Sequence, residues 1–351
     1  MRNFDYKREA DQLLTQRSAN QVGLLQGFSG QKRVLKLTAP DTLETIANNS
    51  LLHAVNEGCK SSGIPISFDR VRELTLRTAE PQNQTEDSIF RYAQTLSLIY
   101  KNGFSHKNML EDIIALSNHF LYGDASPSQP QWRTHDKSQV RLLMQSNGDA
   151  KHSFTPPPPE EIPELLTAIC REYSAIIEKG EINPLFIMSI FITDFAAIQP
   201  FDRGFYEINR LIICYLMQWA GYDILGAIAL SFLLKRRMYM TIAERLNGWH
   251  EEKNNYQYFF DLWMEFSTEA YEFFSLWVES LADPQTSAAK IVGNILAFYK
   301  EPLTKKRIME CAPHISESSI ELSLSILKKQ GSIKMIGRGR YTEYVAADAN
   351  T

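Results

Sequence analysis

The sequence predicts a mainly α-helical core interrupted by one β-hairpin, followed by a smaller unit of three helices and a second hairpin. Three observations carry this. Apolar residues recur every three to four positions along most of the chain. The strongest turn pair in the first two thirds, Asn147-Gly148, separates two short runs, Val140 to Met144 and Ala150 to Phe154. Asp283-Pro284-Gln285-Thr286-Ser287 then breaks the helical pattern before a last stretch of different character.

Taken in order, residues 1–35 read as an N-terminal helical segment. Asp41 to Asn56 places Leu43, Ile46, Leu51, Leu52 and Val55 on one helical stripe, and Phe68 to Arg77, Glu86 to Asn102 and Lys107 to Leu121 repeat the pattern. The polar stretch Gly123 to Gln131 leads to the hairpin. Pro156 to Pro159 form a stiff extended spacer. Glu160 and Glu161 then open a helix, where negative charge suits the N-terminal end. Pro184 to Ile198 and Asn209 to Ala220 are apolar almost all round, which predicts buried central helices. Tyr256 to Leu281 is rich in aromatic residues and predicts core packing.

Past the linker, Ala288 to Tyr299, Leu303 to Cys311 (with Thr304 as N-cap) and Ser316 to Gln330 read as helices. Ile333 to Ile336, the turn Gly337-Arg338-Gly339-Arg340 and Tyr341 to Val345 read as a hairpin. Three helices and a two-stranded wing resemble a winged helix-turn-helix. The expected units are 1–35, a domain over 36–282 with a flap at about 138–156 and a loop at 199–210, and 287–351.

Bulk properties narrow the function classes. A chain of 351 residues with 44% hydrophobic content has enough apolar material for a substantial core and for two or three domains. A formal net charge of −4 gives no overall basic field toward nucleic acid or an anionic membrane. Cys59, Cys170, Cys214 and Cys311 are far apart and form no C-x-x-C pair, so neither a disulfide framework nor a metal site is expected. The charged start, Met1 to Leu14, lacks a signal-peptide core, and no apolar run approaches ~18 residues. A cytoplasmic protein without a membrane segment is expected.

The most informative stretch is Gln199 to Arg210, Q-P-F-D-R-G-F-Y-E-I-N-R. It resembles the signature loop of the Fic family, H-P-F-x-[D/E]-G-N-G-R-x-x-R. Pro200, Phe201, Gly204 and Arg210 keep their places. Trp132-Arg133-Thr134 is similar to the element that precedes the family's flap, and Pro156 to Pro163 to the segment that follows it. His53-Ala54-Val55-Asn56-Glu57-Gly58 is similar to the inhibitory motif [ST]-x-x-x-E-[GN], with His53 at the Ser/Thr place. A C-terminal winged helix is a common appendage in the family. The resemblance implies a mainly α, Fic-type helical core with a β-hairpin flap, and an ancestral activity that moves AMP from ATP onto a protein hydroxyl.

Five positions of the loop depart from that chemistry. Gln199 stands where the catalytic histidine belongs; a carboxamide has no useful basicity near neutral pH, so general-base catalysis of about 10²–10⁴-fold is lost. Arg203 replaces the acid that holds Mg²⁺, with Asp202 one place earlier. After the retained Gly204, Phe205, Tyr206 and Glu207 replace the rest of a cradle whose glycines admit phosphate and whose arginine neutralises it. Tyr206 is expected to fill that space. Glu207 is expected to repel a phosphate by about 4 kcal/mol at ~4 Å in a partly buried site. Arg210 survives, and a pair with Glu207 three residues away is the plain structural expectation. For Glu57 the expected setting is a capped or exposed helix end, with Arg203 or Arg210 as alternative partners.

The favoured expectation is a catalytically degenerate Fic protein working as a binding or regulatory module. It needs no cofactor. Its expected partners are a protein adding a strand to the flap edge, duplex DNA through the winged helix, or a second copy of the chain. The alternative is a protein adenylyltransferase or related phosphate-transferring enzyme in which Asp202 serves as a weak base and Arg203 as counter-charge; only that reading calls for ATP and Mg²⁺. Between Glu301 and Thr351 eight basic residues face six acidic ones, a modest surplus for gripping phosphate. His119 reads as a satisfied core histidine, His135 and His152 as solvated, and Lys235-Arg236-Arg237 as a solvated helix face.

Overall fold

In a computed structural model, the chain is described over residues 2–101, 104, 108–123, 130–136, 140–141, 153–222, 246, 248–253, 256–282, 286–299 and 301–347. The turn of the predicted hairpin, His152, the basic run 235–237 and the first part of the linker lie outside these residues.

The first six helices are α1 (Tyr6–Leu13), α2 (Gln16–Thr38), α3 (Pro40–Ser61), α4 (Phe68–Thr75), α5 (Gln84–Tyr100) and α6 (Met109–Tyr122). Their starts follow local chemistry. The Asn83 side chain accepts a hydrogen bond from the Glu86 amide at the head of α5, and Asn108 does the same for Leu110 and Glu111 at the head of α6. The hairpin appears as β1 (Val140–Arg141) paired antiparallel with β2 (Ser153–Phe154), Val140 opposite Phe154. Then come α7 (Ile162–Lys179), α8 (Pro184–Ile198), α9 (Phe205–Trp219) and the long α10 (Tyr256–Ala282).

Helix α8 is the centre. Every residue from Leu185 to Ile198 is buried, and α7, α9, α10 and α1 pack around it. Its one carboxylate, Asp194, accepts hydrogen bonds from Trp249 Nε1 and Tyr256 OH, both at 2.8 Å, and Arg2 Nη2 lies 4.0 Å away. An ion buried this deeply is tolerated only with such partners. The N-terminal residues are thereby pinned to the core, since Arg2 also donates to the Trp249 carbonyl and to Tyr256 OH. The aromatic stripe of α10 is core, with Phe260, Trp263, Tyr271, Phe273 and Trp277 all buried.

The last unit comprises α11 (Ala288–Tyr299), β3 (Leu303–Thr304), α12 (Lys305–Cys311), α13 (Glu317–Lys329), β4 (Ile333–Ile336) and β5 (Glu343–Ala346). The strands form one antiparallel sheet in the order β3-β5-β4, with Leu303 opposite Tyr344 and Ile333 opposite Ala346. Strand β3 corrects the expectation of helix from Leu303. Thr304 does cap α12, accepting from the Arg307 amide, but a cap residue is itself extended, which leaves Leu303-Thr304 free to pair with β5. Likewise α9 begins four residues before the predicted Asn209, because Gly204 caps it from the left-handed region. No helix among the described residues is long and apolar enough to cross a membrane.

Candidate functional site

The α8–α9 loop is held by two left-handed residues and one buried arginine. Gln199 ends α8 at φ 48°, ψ 64°, a conformation that costs a non-glycine residue about 1–3 kcal/mol. Gly204 opens α9 at φ 69°. A Cβ there would also sit 2.8 Å from Phe120 Cε1 and 3.1 Å from Leu121 Cδ2, so glycine is required twice over. Phe201 packs inward, its ring 5.5 Å from that of Trp132.

Arg133 binds the loop from outside. Its amide donates to the Pro200 carbonyl at 2.7 Å, and Nε donates to the Gln199 carbonyl at 3.1 Å. Nη1 donates to the His135 carbonyl at 2.8 Å and Nη2 to the Pro157 carbonyl at 2.6 Å. One planar guanidinium thus ties the loop to the proline segment that follows the flap. Burial holds its pKa below the usual arginine value.

The first turn of α9 carries Phe205, Tyr206 and Glu207. Glu207 Oε1 accepts from Ser62 Oγ at 2.6 Å and from Arg210 Nη2 at 3.2 Å. Arg210 is buried with its guanidinium 5.7 Å from the Tyr92 ring centroid. The expected Glu207–Arg210 pair is therefore present, with Ser62, which caps the end of α3, as a third member that the sequence did not signal.

Behind this trio opens a cleft of about 410 Å³ between α3, α5, the end of α6 and the loop. Val55, Gly58, Cys59 and the cap residue Ser62 line it from α3 and its end, Ser88, Ile89 and Tyr92 from α5, Phe120 and Leu121 from α6, and Arg203, Gly204, Glu207 and Arg210 from the loop and α9. Two expectations are corrected here. Tyr206 does not fill the cleft; it points outward, 40% exposed, with Phe205 packed against it at 5.5 Å between ring centroids. The floor is not electronegative either, because Arg210 and Ser62 absorb the Glu207 charge. The Cys59 thiol is pushed up to about 12 by burial, so it stays neutral beside them.

The remaining predicted residues lie at the rim. Arg203 is exposed and rests over the Tyr122 ring at 5.3 Å. Asp202 is exposed; its Oδ2 accepts from the Thr134 amide at 3.3 Å and lies 3.9 Å from His135 Nδ1. The side chain of Gln199 is buried. His119 is satisfied by Thr95 Oγ1 at 2.8 Å, as expected of a core histidine.

Glu57 is neither exposed nor joined to Arg203 or Arg210. It is buried and faces away from the cleft, paired with Arg307 of α12 and, at 3.2 Å, with Lys60. Arg307 Nη1 also reaches Glu310 Oε2 at 3.0 Å, Lys60 pairs with the same carboxylate, and Asn56 Nδ2 lies 3.4 Å from both acids. Burial alone would raise the Glu57 carboxyl, but His53, Arg307 and Lys60 more than offset it and hold it below its ordinary value. His53 stacks on Phe273 at 5.7 Å, and burial pushes its imidazole down to about 3. The only trace of this partner in the sequence is the Arg307…Glu310 spacing, which places the two on one helix face.

No family model matches the sequence, and no curated protein matches it. Among solved structures, a Fic family protein from Desulfovibrio desulfuricans G20 is similar over 96% of this chain and 98% of its own, with TM-score 0.57 at 14% identity. A Fic domain containing signaling protein from Bacteroides thetaiotaomicron VPI-5482 matches over 71% and 96%, with TM-score 0.47 and 14% identity. The first of these likenesses runs nearly end to end on both chains, and with it the structure is assigned: this chain has the fold of a Fic protein.

Proposed function

We propose that the chain is a catalytically silent Fic-fold protein that works as a ligand-binding regulatory module. The observation that carries this reading is the double face of α3. On one side Val55, Gly58, Cys59 and Ser62 line the cleft. On the other, Asn56, Glu57 and Lys60 are bound to Arg307 and Glu310 of the C-terminal unit. A ligand that shifts α3 by a few tenths of an ångström acts on that buried ion network directly, because packed interfaces respond to small displacements. We read the C-terminal unit, residues 287–351, as a winged helix at the output end.

Silence toward AMP transfer follows from Gln199 at the base position and from Glu207 bound to Arg210 and Ser62, which leaves the one surviving motif arginine committed internally. Calorimetry with ATP, with and without Mg²⁺, is expected to show no binding heat. Restoring Gln199→His, Arg203→Asp, Phe205→Asn, Tyr206→Gly and Glu207→Arg together is expected to produce labelled-nucleotide transfer. Micromolar ATP binding by the unaltered chain defeats the reading.

Duplex DNA is the proposed partner of the C-terminal unit, through Lys328, Lys329, Lys334 and Arg338, while Lys305 is already held by Glu317 at 2.8 Å and Glu321 at 2.6 Å. Affinity for random duplex that falls steeply with salt supports it. An extended peptide adding a strand to the flap is the proposed protein partner, since strand addition needs only main-chain groups. A second reading, a phosphate-transferring enzyme with a displaced base, rests on His135 Nδ1 lying 3.9 Å from Asp202 Oδ2 beside the loop. Nucleotide transfer by the unaltered chain that His135→Ala abolishes favours it.

A further inference from the structure

We propose that the cleft between α3, α5, α6 and α9 takes a small organic monoanion with a compact apolar body, a carboxylate or sulfonate on an aromatic or branched frame, with Arg203 as its counter-ion. This deepens the reading of the cleft as a ligand site and rests on it.

Three features point to that chemistry. A volume of about 410 Å³ falls in the range of small-molecule sites, about 300–1,000 Å³. Val55, Ile89, Tyr92, Phe120 and Leu121 make the walls chiefly apolar. Charge then selects among ligands that suit such walls. Among the described residues three cations line the cleft, and two are committed. Arg91 pairs with Asp87 and donates Nε to the Phe120 carbonyl at 2.9 Å, while Arg210 pairs with Glu207. Arg203 has no carboxylate within ion-pair distance among the described residues and rests over the Tyr122 ring. Three arginines against Asp87 and Glu207 leave one positive charge in excess. One anionic group balances it; a triphosphate brings several charges against a single excess cation, and a cationic ligand meets an uncompensated arginine. Ser88 on the α5 wall offers a hydroxyl to the remaining lone pairs of the anion.

The probe is 8-anilino-1-naphthalenesulfonate, an aromatic monoanion whose fluorescence rises in apolar surroundings, titrated into the full chain. One saturable site is expected. Arg203→Glu is expected to weaken it by at least about tenfold, the loss of one charge-assisted contact, whereas Arg203→Lys retains most of it. Ser88→Tyr, which fills the cleft from α5, is expected to abolish it, with circular dichroism unchanged in all three variants. Indole-3-acetate is expected to displace the dye and tryptamine, its cationic counterpart, to leave it bound. The proposal is overturned if no saturable site appears, if Arg203→Glu and Ser88→Tyr bind as well as the parent, or if tryptamine competes as strongly as indole-3-acetate. ATP with Mg²⁺ is run beside them. Displacement by ATP brings down the silent-enzyme reading as well, while failure of the monoanions with no effect of ATP removes only the ligand class.

Discussion

The buried His53 makes the stability of the chain depend on pH in a range where carboxylates contribute little. In the folded state the ring lies between Phe273 of α10, Glu57 and Lys60 on its own helix, and Arg307 of α12, and it hydrogen-bonds the Glu310 backbone. Burial holds it neutral down to about 3, against an ordinary value of 6.5. A folded value below the unfolded one means that stability is fully present above 6.5 and lost as pH falls from there. Each pH unit of that gap is worth about 1.4 kcal/mol, so the span between pH 6.5 and pH 5 removes about 2 kcal/mol. The assay is urea unfolding at pH 7 and pH 5 for the parent and for His53→Gln, which keeps a hydrogen-bond donor and has no proton to gain. The parent is expected to lose about 2 kcal/mol more than the variant over that interval. Equal losses refute the argument, because they assign the pH dependence to other groups.

Arg307→Ala leaves Glu57 and Glu310 buried with Lys60 as their one remaining lysine or arginine partner among the described residues, so a loss of about 3–5 kcal/mol is expected, read as lowered thermal stability and earlier proteolysis near residues 283–287. Gly204→Ala meets both an unfavourable φ and Phe120 at 2.8 Å, and at least about 2 kcal/mol of destabilisation is expected in denaturant. Arg133→Lys keeps the charge but not the fork, stranding buried carbonyls of the loop; about 2–3 kcal/mol is expected, with faster cleavage around Pro156–Pro159. Wild-type stability in any of these variants removes the corresponding contact from the account.

The helices were legible because their apolar periodicity and caps are local. Pro184 to Ile198 was readable to the residue, since Pro184 can start a helix and the run that follows is apolar all round. The Glu207–Arg210 pair was readable for the same reason, as residues three apart on a helix are neighbours. What the sequence hid is what depends on distant partners. Glu57 meets an arginine 250 positions away, and no spacing rule predicts that meeting. The expectation of Tyr206 in the cleft rests on the glycine that the family pattern has at its place, which implies space there. The first turn of α9 carries that side chain outward, and only the loop's rotation at Gly204 decides which way that turn faces. Strand β3 was missed because two residues carry no periodicity.

The grip of Arg133 on the α8–α9 loop is made almost wholly to main-chain oxygen. Carbonyls of Gln199, Pro200, His135 and Pro157 are present whatever side chains stand at those places. The outline of the loop is therefore stored in a residue sixty-six positions away rather than in its own letters. Chemistry at its surface is free to vary while the mould keeps its form, and the scaffold is open to being rewritten by design.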